Sequence, residues 1–232
     1  MSEPNVTVVT RKRTNVKNMT SMAMLTALAY VVMLLSKTLP QVSGFLQMDL
    51  KDTIICIGGF VFGPLSAAII SIVVAVVEMF TYSDTGIIGC IMNVLATVSF
   101  CCTASFVYKK LHTRKGAVVG LALGVVALTV VMLLWNYLIT PIYMKIPREV
   151  VASMLPTVFL PFNLAKGGLN MAVILLLYKP VVTALRQAKL LPESTRTSGA
   201  SADKKLNVGF LLFSLALLAT FATLTLVLMG II

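Results

Sequence analysis

Apolar residues in this chain gather into seven runs, at about residues 19–35, 52–62, 65–82, 90–108, 117–140, 161–185 and 208–232, separated by polar and basic stretches. A helix needs roughly 17–25 predominantly apolar residues to cross a bilayer, so most of the runs predict transmembrane helices. The second is short for a full span unless it begins within the preceding loop. It stops at Gly63-Pro64, where the third begins at once, and the pair predicts a tight antiparallel hairpin. Pro141, Pro147 and Pro156 punctuate the stretch after the fifth run and predict a long loop; Pro180 lies near the end of the sixth run.

These runs divide the chain into a basic tail at 1–18, a six-helix membrane domain at 19–187, a polar linker at 188–206 and an extra transmembrane helix at 207–232. The basic tail followed by an apolar run resembles a signal peptide. The run is long for that role and ends in Ser36-Lys37-Thr38-Leu39-Pro40 without a small-residue cleavage site, so a retained first helix is expected.

Composition agrees with a membrane domain: 58% hydrophobic residues against 12% charged. The net charge of +11 would suggest nucleic acid in a soluble protein. Here the basic residues sit in tails and short loops and report topology instead. Placing the N-terminus in the cytoplasm puts fourteen Lys and Arg inside and four outside, with Lys166 left within a helix. The last helix then ends outside. The three outer loops are the longer ones and bear proline and glycine.

The chemistry centres on Lys166. A lysine inside an apolar helix costs about 2.5–3.5 kcal/mol on insertion scales and usually faces a cavity or a partner. Asn163, Lys166 and Asn170 stand at i, i+3 and i+7 on one helical face, with Gly167 and Gly168 beside them. The bland reading is that Lys166 snorkels to the interface; the sharper one is a polar stripe lining a ligand pocket. Asn136, between Trp135 and Tyr137, lies at similar depth, and converging polar groups favour a site. An interhelical hydrogen bond and interfacial aromatics are the plainer readings of those three. Glu78 is the only carboxylate inside an apolar run and is either solvated, paired with Lys166 or an acceptor for a ligand hydroxyl; Asn93 lies nearby.

Other features carry less. Ala23 and Ala27 form a small-xxx-small pair that lets a helix approach closely, and Gly116, Gly120 and Gly124 read as internal packing. Cys56, Cys90, Cys101 and Cys102 have no metal-type spacing, and His112 sits in a basic loop. The sequence holds no GxxxxGK[ST] phosphate loop, HExxH, GxSxG or paired intramembrane acids, so no catalytic set and no metal site are visible.

Two motifs and two loops bear a family likeness. Asn136-Tyr137-Leu138-Ile139-Thr140-Pro141 and Pro161-Phe162-Asn163-Leu164-Ala165-Lys166-Gly167 resemble the riboflavin-specific S components of energy-coupling-factor (ECF) transporters. The Phe62-Gly63-Pro64 hairpin and the loop ending Leu46-Gln47-Met48-Asp49-Leu50 are also similar. The resemblance spans about residues 19–187 and implies an all-α integral membrane protein with a six-helix S-component bundle. It implies residues matching Asn136, Asn163 and Lys166 in contact with the vitamin, and loops around Leu46 and Gly86 covering it. Small residues matching Ala23 and Ala27 would dock on the transmembrane coupling subunit, EcfT, with two separate ATP-binding subunits hydrolysing ATP. Riboflavin, or FMN, would be the carried ligand, with no cofactor. Trp135, Phe45 and Phe162 are candidates to cover its ring, and Glu78 and Asn93 to meet its polar groups. The linker and seventh helix depart from the family pattern. An S component for another vitamin or nucleobase, a secondary transporter, and a membrane enzyme or other non-transport subunit remain as alternatives.

Overall fold

The computed structural model describes residues 16–82, 85–187 and 208–231. The predicted linker and most of the predicted basic tail lie outside the described residues. Every regular element among those described is helical: α1 (Val16–Ser36), α2 (Lys51–Phe62), α3 (Pro64–Thr81), α4 (Gly86–Leu111), α5 (Arg114–Met144), α6 (Arg148–Met154), a π-helical segment (Leu155–Phe159), α7 (Leu160–Gln187) and α8 (Val208–Leu228). Six helical stretches are long and apolar enough to cross a membrane; α2 is not among them. The chain is a multi-pass membrane protein with the expected bundle and an added C-terminal helix.

The inward face of α1 repeats every fourth residue, with Ser21, Leu25, Ala29 and Met33 buried, while Met24, Leu28, Val31 and Leu35 are exposed. Apolar side chains pointing outward suit a lipid environment, where backbone polar groups must be satisfied inside the helix. The shortest membrane element is the most enclosed. Twelve residues of α2 extend only about 18 Å, yet every residue from Lys51 to Gly59 is buried among α1, α3, α4 and α7. Depth on the bundle axis therefore starts at the first residue of α2, which is charged.

Gly63 explains the hairpin. It holds φ +99°, a conformation that favours glycine, and Pro64 then opens α3 at a position where its missing N–H costs nothing. The α4–α5 crossing is close for a related reason. A Cβ at Gly120 would lie 2.8 Å from the Ala104 carbonyl oxygen, and one at Gly124 would lie 2.7 Å from that of Phe100. The internal-packing reading of these glycines holds.

The proline-rich loop expected after the fifth run is instead mostly helical. α5 runs through Pro141 to Met144, and only Lys145, Ile146 and Pro147 separate it from α6. Pro141 removes one helical donor, a loss membrane helices tolerate within a packed bundle. Pro156 falls in the π-helical turn, whose wider winding relieves the clash that a proline ring makes with a regular helical turn. Thus α6, the π segment and α7 form one interrupted rod. α8 packs along α7, with the Phe221 ring seated on Gly168, where a Cβ would force the ring to move.

Gly124→Leu should disrupt the α4–α5 crossing by overpacking, at a cost of about 1–3 kcal/mol or more. The check is the thermal unfolding midpoint in detergent, expected to fall clearly below that of the unaltered protein; an unchanged midpoint would contradict the close backbone approach.

Candidate functional site

α4 spans about 39 Å and separates two cavities at its opposite ends. Near its start lies a cleft of about 260 Å³, lined by Lys37, Gln41, Gln47, Asp49, Glu78, Tyr82, Thr85, Asn93 and Lys166, with few apolar neighbours. Near its end lies a larger cavity of about 650 Å³, walled chiefly by aromatic and aliphatic side chains such as Phe60, Tyr108, Ile174, Tyr178 and Phe210. The polar groups that can orient a small molecule converge in the first.

Loop 37–50 and the facing stretches of α3, α4 and α7 assemble that cleft, with the start of α2 buried behind it. The loop folds back on itself through paired Val42 and Leu46 backbone hydrogen bonds of 2.8 and 3.0 Å. Ser43 and Gly44 make the turn with φ of 52° and 77°. Gln47 Nε2 donates to the carbonyl oxygens of Ser36 and Leu39, and the Leu50 N–H donates to Ser36 Oγ. Phe45 meets Phe159 edge to face at 6.0 Å. These ties place Asp49 and Lys51 inside the bundle.

The result is a chain of alternating charges. Lys166 Nζ donates to Asp49 Oδ2 at 2.8 Å, and Lys51 Nζ stands 3.7 Å from the same oxygen. Lys51 Nζ also donates to Glu78 Oε2 at 3.0 Å, and Lys37 Nζ lies 3.0 Å from Glu78 Oε1. Asn93 Nδ2 donates to Glu78 Oε2 at 3.2 Å. Isolated charges in so buried a place are prohibitive; alternation with good geometry is what makes them tolerable. Burial by itself pushes the Asp49 carboxyl up, but the Lys166 and Lys51 ammoniums outweigh it and hold it below the usual carboxylate range.

Neutral groups tie the charges to the helices. Asn170 Nδ2 donates to the carbonyl oxygens of Asp49 and Lys166, and Thr53 Oγ1 donates to Asn170 Oδ1. Thr97 Oγ1 donates to Asp52 Oδ1 at 2.7 Å. Two acceptors are left over: Asp49 Oδ1 and Asp52 Oδ2 are buried with no hydrogen-bond partner. A buried acceptor left so costs about 1–3 kcal/mol. Asp49 lines the cleft, with this oxygen closed off from solvent behind it.

The residues singled out in the sequence divide into three groups. Lys166, Glu78 and Asn93 line the cleft. Lys166 is 7% exposed and ion-paired, so it does not snorkel. Glu78, 1% exposed, is neither solvated nor paired with Lys166; its partners are Lys37 and Lys51. Leu46 and Gly86 adjoin the cleft in chain, next to Gln47 and Thr85, and Leu46 packs against Val42, Met48, Phe162 and Ala165. Asn136, Asn163, Trp135 and Phe162 do not line it. Asn136 Nδ2 donates to the Met132 carbonyl oxygen and its Oδ1 accepts from Thr140, while Asn163 Nδ2 donates to the Phe159 carbonyl oxygen. Trp135 packs on the main core and Phe162 is buried in a smaller one. Ala23 and Ala27 are exposed on α1.

Sequence reasoning missed Lys37, Asp49, Lys51 and Asp52 as members of the site. Lys37 and Lys51 were expected as loop charges, and Asp52 makes Glu78 no longer the sole carboxylate within the bundle. The signal was present: Asp49-Leu50-Lys51-Asp52 puts three charges against the front of an apolar run too short to span alone.

Residues 17–182 match the family described as ECF transporter, substrate-specific component. The riboflavin transporter FmnP of Bacillus subtilis (strain 168) is 29% identical over 187 residues, covering 75% of this chain and 98% of that protein. The riboflavin transporter RibU of Staphylococcus aureus (strain TCH60) is 28% identical, covering 74% and 93%. A solved structure of the S component of a bacterial ECF transporter superposes with a TM-score of 0.62 at 27% identity, covering 73% of this chain and 98% of that one. α8 begins 26 residues past the end of the family match. Phe210, Leu211 and Ser214 of α8 help wall the larger cavity, which is therefore built partly from outside the family match.

Removing one member of the charge chain should cost more than removing a matched pair. Glu78→Gln leaves Lys37 and Lys51 short of countercharge, and breaking a buried pair costs about 3–5 kcal/mol. The double variant Lys51→Met with Glu78→Gln should lose less than the sum of the two single losses. Thermal unfolding of all four proteins in detergent measures this; strict additivity would contradict a direct Lys51–Glu78 interaction.

Proposed function

We propose, on the premise that the chain belongs to the substrate-specific components of ECF transporters, that it captures riboflavin, with FMN as a further candidate, in the Lys166 cleft. It then hands the vitamin to an ECF module for ATP-driven import. The observation that carries this reading is the buried Lys166 amine on the wall of a polar cleft, held 2.8 Å from Asp49, in a chain whose relatives are riboflavin transporters.

The chemistry of the cleft suits this ligand. Riboflavin has a flat ring system with carbonyl acceptors and an imide N–H, and a chain of hydroxyls. Lys166 supplies a charged donor, Asp49 Oδ1 an unused acceptor, and Gln41, Gln47 and Asn93 groups of both kinds. The cleft falls just below the volume of about 300–1,000 Å³ usual for small-molecule sites. Admitting the ring system therefore calls for the tip of the loop, about residues 41–47, to move outward while Asp49 stays paired. Asn163 shares the α7 face of Lys166, and we assign it and Asn136 to the ligand once that tip has opened and their amides have turned from their own helix carbonyls.

Fourteen basic residues against four orient the N-terminus to the cytoplasm and the C-terminus to the outside of the cell membrane, so the cleft faces outward. The exposed Ala23 and Ala27 on α1 are then the place where the coupling subunit, EcfT, packs closely, and α8 leaves that face clear by packing along α7. Since the sequence has no phosphate loop, the two ATP-binding subunits are separate chains.

Titration of the detergent-purified protein with riboflavin, read by quenching of flavin fluorescence, tests the assignment; saturable binding at one site is expected, and none would refute it. Lys166→Ala and Asn163→Ala should each weaken binding by roughly 5- to 150-fold, the equivalent of about 1–3 kcal/mol for a lost buried partner. Unchanged affinity in both would remove the proposed site. Ala23→Leu should leave riboflavin affinity intact and abolish uptake by cells; normal uptake would argue against docking on that face.

A further inference from the structure

The helix outside the family match reaches the site from behind. Phe221 of α8 covers Gly168, two residues beyond Lys166. Closer to the loop end, Leu224, Leu228 and Met229 pack against a small buried cluster formed by Val42, Met48, Phe162 and Ala165. Three of the four members sit next in sequence to a residue that lines the cleft, and the fourth, Phe162, lies one turn of α7 before Lys166. Val42 follows Gln41, Met48 lies between Gln47 and Asp49, and Ala165 precedes Lys166. One set of side chains on loop 37–50 and α7 thus faces the cleft, and its immediate neighbours face α8.

The loop is anchored differently on its two sides. Toward α1 the ties are polar, through Gln47 and the Leu50 N–H to the end of that helix. Toward α7 they are mixed, with Asp49 bonded to Lys166 and Asn170 and with Val42 and Met48 packed on Phe162 and Ala165; toward α8 they are apolar, through the same Val42 and Met48. Packing of this kind has no directionality and is lost by degrees as side chains are trimmed. Release of a molecule from beneath the loop requires one of these anchors to yield.

We propose that α8 is an intramolecular strut that holds loop 37–50 down over the cleft and so slows departure of the bound vitamin. Leu224, Leu228 and Met229 are its positioning residues. The strut rests on the riboflavin reading for its consequence but not for its mechanics, which concern the loop itself.

The test compares the full chain with the variant Leu224→Ala/Leu228→Ala/Met229→Ala. Leu212→Ala/Phe213→Ala, on the exposed face of α8, serves as the control. Riboflavin release is followed by fluorescence recovery after dilution, and hydrogen–deuterium exchange of the ligand-free proteins is followed by mass spectrometry. The triple variant should release riboflavin about tenfold faster, the usual place for an affinity change to appear. Exchange should quicken in residues 41–50 while the α3–α4 region stays as protected as before, and the control should match the unaltered protein in both. Unchanged exchange across 41–50 overturns the strut whatever happens to release. Exchange raised equally throughout the bundle also overturns it, because α8 would then merely support the fold. If the unaltered protein binds no riboflavin, the functional assignment falls, and the exchange comparison still decides the strut.

Discussion

Five side chains alternating in charge, Lys166, Asp49, Lys51, Glu78 and Lys37, set the conditions that the rest of this bundle meets. Taken singly, each would be driven out of a low-dielectric interior or neutralised there. Taken in order, each is the countercharge of the next. That requirement explains why α2 is short and central: its first residue must sit at depth, between Asp49 and Glu78. It also explains why loop 37–50 is tied so closely to α1, since a loose loop would withdraw Asp49 and leave two lysines facing each other. The polar cleft is the open side of this arrangement.

Much of the architecture was legible in the apolar runs because membrane helices announce themselves by length. The hairpin was legible for a local reason, since Gly63-Pro64 has few other uses between two apolar runs. Lys166 was legible as an anomaly. Its partner was not, because Asp49 belongs to a stretch that reads as an ordinary polar loop and becomes buried only when Val42 and Met48 anchor it. The proline cluster misled in the opposite direction. Proline is a strong breaker in water, but a packed bundle offers a widened turn at Pro156 and an uninterrupted rod through Pro141. Asn136 and Asn163 show a further limit: their types and depth were visible, but the choice of their own helix carbonyls as partners depends on rotamers that spacing does not determine.

The bundle shared with the family and the helix added to it divide the work of holding the loop. Shared helices supply the charges and the polar anchors; α8 adds apolar weight on the reverse side of the same residues. Its position along α7 keeps it away from the small-residue face of α1. An extra helix placed there can accompany the bundle as a unit, so its addition is compatible with docking through α1.

An experimental structure of the purified protein soaked with riboflavin tests the central claim most directly. The ring system should lie between loop 37–50 and α7, with a ligand acceptor against Lys166 Nζ and a ligand donor against Asp49 Oδ1. Riboflavin bound instead in the larger apolar cavity between α7 and α8, or a Lys166 amine turned out among lipid headgroups with the cleft unfilled, would contradict it.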